Sequence, residues 1–279
     1  MSETIPLTHF EELMLHQDSS AYPVSCFVRL RFEGRLVRAA FESAACVAIG
    51  SHPLLHAVVE KQKRYVWRVG DVAPKITWTD GDHQPEPEMR QLDITAEYGL
   101  RFFVRLYENR SDVLIQLHHA CCDGIAMSDP ELLLDGIQRE MNQIKRLELG
   151  HLFSFALRPQ RLVPGALRRA ARPGRCCVTA VFTNIGRVLA RCPLPCVDGR
   201  WQAGNVVLLA TEVAAPIARN VCASFGVTSY AGRLSLSLHY DARVLSPSAA
   251  KTLLSMFARK VETSAGVRTN ETLESVELI

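Results

Sequence analysis

Residues 113–124 read VLIQLHHACCDG. An alternating apolar run ends in His118 and His119, and Asp123 and Gly124 follow after three residues. An imidazole, a carboxylate and a glycine therefore meet at the end of a predicted buried strand. Such a set is open to three chemistries. Metal binding is the weakest, because successive strand side chains point to opposite faces. The two rings converge only if the strand stops between them, and Asp123 with one ring makes a poor zinc site. A thiolate at Cys121 or Cys122 would need a base or a positive field. The competing reading of these cysteines is two small apolar residues in a tight turn. A single histidine as general base fits the pattern better. Neutral imidazole titrates near ~6.5 and can take a proton from a hydroxyl or amine attacking a carbonyl. Such help is typically worth ~10²–10⁴-fold. Asp123 would hold the turn through a charge pair with an arginine, and Gly124 would let backbone approach closely. On spacing alone, this reading and a satisfied core histidine stand level.

The flanking sequence supplies elements that could position these groups. Thr8 caps a short predicted helix with Glu11 as capping-box partner, and Phe10, Leu13 and Met14 form its inner stripe. Residues 24–32 read as a strand with Cys26, Val28, Leu30 and Phe32 on one face. Helical spacing over 36–49 places Leu36, Ala40, Ala44, Val47 and Ala48 on one side, with Gly50 and Pro53 ending the helix. Strands are predicted at 64–69 and 76–78, and an exposed loop at 79–90. Residues 100–107 and 112–119 form a predicted hairpin joined by Glu108, Asn109, Arg110 and Ser111. A helix is predicted from Glu131 to about Glu148, with Pro130 in its first turn. Further strands fall at 178–183, 206–210 and 233–240. In the last, Leu234, Leu236, Leu238 and Tyr240 share the core face, leaving His239 and Asp241 on the surface, the alternative being that these two face a cleft at the strand end. Ser246 and Pro247 open a final helix with Leu253, Leu254, Phe257 and Val261 as its apolar stripe.

Composition narrows the class. The 279 residues are 48% hydrophobic and 22% charged, ordinary for a globular chain with a sizeable core. A net charge of +3 is too small to imply a polyanionic partner for the whole surface. The first residues lack a basic region followed by an apolar one, so no signal peptide is expected. No apolar run is long enough to cross a bilayer. Nine cysteines, with Cys121-Cys122 and Cys176-Cys177 adjacent, make a poor disulfide framework and suggest reduced thiols in the cytoplasm. Cys176, Cys177, Cys192 and Cys196 are poorly spaced for zinc. Residues 158–175 carry six arginines and no acid. They read as a solvated linker that could also meet phosphate groups, an acidic protein surface, RNA or an anionic membrane. Without interleaved aromatics the nucleic-acid reading is weak.

The segment HHACCDG resembles the HHxxxDG signature of the CoA-dependent acyltransferase superfamily, which includes chloramphenicol acetyltransferase, condensation domains and wax ester synthases. Ile5-Pro6-Leu7-Thr8 with Glu11, Glu12 and Met14 is similar to that family's opening. Residues 34–45 and then Ser51-His52-Pro53-Leu54-Leu55-His56-Ala57 resemble its first helix and the segment after it, with Ser51 in place of an arginine. Thr183-Asn184-Ile185-Gly186 and residues 234–244 resemble its later strands. The resemblance implies an α+β fold of mixed sheets with flanking helices in two lobes. A lobe over 1–150 would carry the motif, 151–177 a basic linker, and 178–279 a shortened second lobe. It implies an acyltransferase acting on groups other than amino-acyl groups, with His119 as general base, His118 the less essential partner, and Asp123 and Gly124 structural. The donor would be an acyl-CoA or an acyl-phosphopantetheine on a carrier protein, with no permanently bound cofactor and no metal. The acceptor would be a small alcohol or amine, attacked without an acyl-enzyme. A second copy of the chain could complete a site opened by the shortened lobe. The alternative is a non-catalytic binding or scaffold module that keeps the fold.

Overall fold

The computed structural model describes residues 4–81, 90–122, 178–189, 192, 194–219 and 221–264. The predicted helix over 131–148, the arginine arm over 158–175, Asp123, Gly124, Cys176 and Cys177 lie outside these residues, as does most of the 79–90 loop.

The centre is a seven-stranded mixed sheet in the order β5-β6-β7-β2-β11-β10-β9. Its strands are β2 (Ser25–Glu33), β5 (Lys75–Asp80), β6 (Leu100–Leu106), β7 (Arg110–His118), β9 (Cys196–Val197), β10 (Arg200–Ala203) and β11 (Val206–Ala214). Alternation in β2 and β7 serves both faces. Cys26, Val28, Val113 and Leu117 enter one core cluster, with Leu30 and Phe32 packed against it. Phe27 and Leu114 enter another with Ala214 on the opposite face. The predicted hairpin forms: β6 and β7 pair antiparallel, and the Tyr107 N–H donates to the Arg110 carbonyl at 2.9 Å. β6 ends one residue earlier, and β7 begins two residues earlier, than the spacing suggests. β2 pairs antiparallel with β7 on one side and with β11 on the other. The later part of the chain is thereby built into the same sheet as the motif.

Helix α1 (His9–Gln17) has the predicted capping box, with Thr8 and Glu11 satisfying each other's backbone N–H groups. It buries Leu13 and Met14, but Phe10 is 46% exposed. Helix α2 (Arg38–Gly50) departs from its predicted stripe. Ala45 and Ile49 are buried with Phe41 packed beside them, whereas Val47 is 73% exposed. The cause is Phe41, whose ring meets Trp78 and Phe102 edge-on at 5.7 Å each. That contact rotates the helix so that 41, 45 and 49 face the sheet.

A three-stranded sheet packs Trp67 fully inside, in the order β1 (Thr4–Pro6), β4 (Tyr65–Val69), β3 (Ala57–Lys61). β3 was not apparent from the sequence because a single 3-10 turn, Pro53–His56, runs straight into it. The third sheet orders β13 (Arg233–Tyr240), β12 (Val221–Tyr230) and β8 (Val178–Arg187). β12 was also missed. Its Ser, Thr and Gly content suits a close crossing under β11: a Cβ on Gly226 would collide with Ser237 Oγ and the Val213 carbonyl. The final helix α3 (Pro247–Ser264) is capped by Ser246 Oγ, which accepts the Ala249 N–H at 3.2 Å. It buries Ala250, Leu254 and Ala258 against this sheet, with Leu253 and Phe257 partly covered. In β13 one residue of the predicted core face departs from expectation. Leu236, Leu238 and Tyr240 keep to the predicted core side, but Leu234 is 46% exposed, since it lies beside the turn that joins β12 to β13.

Candidate active site

β7 stops at His118, and residues 119–122 turn. The two imidazoles therefore leave from different backbone geometries. His118 donates its N–H to the Gly99 carbonyl at 2.8 Å, and His119 donates to the Val24 carbonyl at 2.9 Å. The turn closes with the Cys121 N–H on the His118 carbonyl at 2.9 Å. The side chain of His118 is wholly buried and that of His119 is half-buried.

Hydrogen-bond partners assign the proton on each ring. His118 Nδ1 accepts the Ala120 N–H at 3.2 Å, so the proton of its neutral form is on Nε2. That nitrogen faces Asp18 Oδ2 at 3.7 Å, beyond hydrogen-bond range. His119 Nδ1 lies 3.1 Å from the Cys122 carbonyl. A carbonyl only accepts, so Nδ1 carries the proton and Nε2 keeps its lone pair. No described residue hydrogen-bonds that Nε2.

Asp18 sits at the C-terminal end of α1, where its own N–H donates to the Met14 carbonyl at 3.0 Å. Its carboxylate accepts the Val24 N–H at 2.8 Å and the Gln91 amide. Burial alone would raise its pKa, but the facing His118 ring, Gln91 and Val24 together hold it below the usual carboxylate value. Gln116, also fully buried, donates to the Arg90 carbonyl at 2.8 Å and to Ser25 Oγ at 3.4 Å. A polar layer thus lies under the motif on β2 and β7. Sequence reasoning missed Asp18, Ser25, Gln91 and Gln116. The only signal was the parity of Gln116 and His118 on an otherwise apolar strand.

The cysteine chemistry closes. The Cys121 thiol is buried, and desolvation, with Cys122 and Glu11 nearby, pushes its pKa far up. Its sulfur fills the space where Gly99 would carry a side chain, next to His118 Cβ. Cys121 and Cys122 both pack as small apolar groups in core clusters.

His239 and Asp241 correct the prediction that both lie on the surface. His239 Nδ1 donates to the Ala215 carbonyl at 3.0 Å, and its ring meets Phe27 edge-on at 6.5 Å. Burial lowers its pKa, outweighing that hydrogen bond. Asp241 receives the Arg243 guanidinium at 2.9 Å and the Tyr22 hydroxyl at 3.1 Å, which hold its carboxyl low. Residues from the start and the end of the chain therefore meet here, and alternation could not show it.

A cleft of about 390 Å³ is lined by Val58, Arg68, Lys75, Glu97 and Tyr98, with neither histidine in its wall. Among the described residues no three metal-binding side chains cluster, and no helix is long and apolar enough to cross a membrane.

No protein-family model and no curated protein sequence matches the chain. Solved structures do. A wax ester synthase/diacylglycerol acyltransferase from Marinobacter aquaeolei VT8 is similar over 94% of this chain and 100% of its own, at TM-score 0.55 and 10% identity. The starter condensation domain of rhizomide synthetase RzmA is similar over 100% of both chains, at TM-score 0.51 and 12% identity. The chain spans only 30% of the length of the X-domain from teicoplanin biosynthesis, at TM-score 0.41 and 22% identity. The α+β arrangement of mixed sheets and few helices is thus the fold of this condensation domain and of this wax ester synthase.

Proposed function

We propose that this chain transfers an acyl group from a CoA or carrier-protein thioester to a hydroxyl or amine, with His119 as general base. The observation that carries this reading is the His119 Nδ1 to Cys122 carbonyl bond at 3.1 Å on a half-buried ring. It commits one nitrogen to the protein and leaves Nε2 to accept a proton. The acceptor O–H or N–H gives its proton to Nε2 as its oxygen or nitrogen attacks the thioester carbonyl. The tetrahedral adduct collapses, and the departing sulfur takes the proton back from the imidazolium. The acceptor gains the acyl group and a free thiol leaves. No acyl-enzyme is needed, and the buried Cys121 thiol, pushed up by desolvation, is poorly placed to form one. His118 contributes from the interior, as part of the support. Asp123 and Gly124 keep the supporting role that the resemblance implies, and the arginines of 158–175 are candidates for the donor's phosphates.

The test is thiol release from a panel of acyl-CoA and acyl-carrier donors with alcohol and amine acceptors. Wild type should release thiol above background, and His119→Ala should lose about 10²–10⁴-fold. Equal background rates for both proteins across the panel would favour a scaffold that keeps the fold without chemistry.

A further inference from the structure

We propose that Asp18 is a positioning residue for His119, acting through Val24 on one side and His118 on the other; this rests on the acyltransferase reading. The geometry is a bracket. Asp18 Oδ1 accepts the Val24 N–H at 2.8 Å, and the Val24 carbonyl in turn accepts the His119 N–H at 2.9 Å. Asp18 Oδ2 faces His118 Nε2 at 3.7 Å, and His118 Nδ1 accepts the Ala120 N–H at 3.2 Å. The backbone on both sides of His119 is therefore tied to one carboxylate.

The carboxylate is itself fixed. Its side chain is 6% exposed, its backbone closes α1, and Gln91 donates to Oδ2. His118 Nε2 is buried with no hydrogen-bond partner, so Asp18 is the group that compensates it. The residues between Asp18 and Val24 also reach the other half of the chain. Tyr22 gives its hydroxyl to Asp241 at 3.1 Å, and Arg243 lies 4.3 Å over its ring. The segment that seats His119 is thus pinned at three points by groups distant in sequence.

Asp18→Asn separates positioning from mere packing. Its amide oxygen still accepts from Val24, but its NH2 group then faces the Gln91 amide and His118 Nε2–H, donor against donor. The expected result is a folded protein whose kcat falls up to about a hundred-fold with KM little changed, because only the base is misplaced. Ring-nitrogen NMR should show His119 as a single Nδ1–H tautomer in wild type and as a mixture in Asp18→Asn. An unchanged kcat with an unchanged His119 tautomer overturns the proposal. Should Asp18→Asn not fold, His118→Gln replaces it, with the same two changes expected and the same two constancies overturning the idea. The tautomer readout also separates the two readings. A wild type without turnover sinks the acyltransferase, while the NMR still decides whether Asp18 sets the ring.

Discussion

Two strands of this protein carry a histidine at or next to their last residue, and the two ends are used differently. β7 delivers His118 into a polar layer with Asp18 and leaves His119 half-buried in the turn beyond. β13 delivers His239 against Phe27 and the Ala215 carbonyl, where burial disfavours its charged form. Both regions have the same local pattern of alternating apolar residues, an imidazole and a nearby Asp. The difference comes from what lies across from the strand end. An aromatic ring and a single carbonyl make a structural histidine, whereas a turn that commits one nitrogen and leaves the other uncommitted suits the base we propose at His119.

The sharpest way to break this contrast is substitution of the two rings side by side. His119→Ala should cost about 10²–10⁴-fold in thiol release. His239→Leu should leave turnover within a few-fold, because its contacts among the described residues are packing and one hydrogen bond. Comparable losses in both would erase the distinction. Next in size is Gly99→Ala, which places a methyl against Cys121 Sγ and His118 Cβ. Overpacking there should destabilise by about 1–3 kcal/mol in a urea melt and lower turnover as well. The pH response sharpens the comparison further. His239 is held below its ordinary value, so the native state takes up its proton later than the unfolded chain. Its contribution to stability should be complete above about pH 6.5 and fall away as pH drops below that. Melts of wild type and His239→Leu from pH 8 to 5, as ~0.5-unit steps, should therefore converge toward acid. The smallest effect is expected for Tyr22→Phe, which removes the hydrogen bond to Asp241 and keeps the Arg243 contact. A loss of about 0.5–1.5 kcal/mol is expected from the melt midpoint, with kcat falling less than in Asp18→Asn.

Much of the fold was legible where a strand buries one face or a helix carries its own signals. Thr8 and Glu11 mark α1 because capping is a contact over three residues. Cys26, Val28, Leu30 and Phe32 mark β2 because strand period alone sorts them. The Ser246 and Pro247 start of α3 is equally local. The face of α2 was not legible, since alanines surround it and one aromatic, Phe41, sets its rotation through Trp78 and Phe102. β12 hid because its small polar residues answer to β11 crossing above them.

The sequence by itself determined that a histidine pair would end an apolar strand at a tight turn, because alternation and turn chemistry act between near neighbours. It also set the resemblance that the fold bears out. Only the tertiary structure decided which ring is interior, which nitrogen is committed, and that Asp18, one hundred positions before His118, stands behind the pair. Burial and hydrogen-bond partners are properties of what packs opposite, and a linear pattern carries no record of that neighbour.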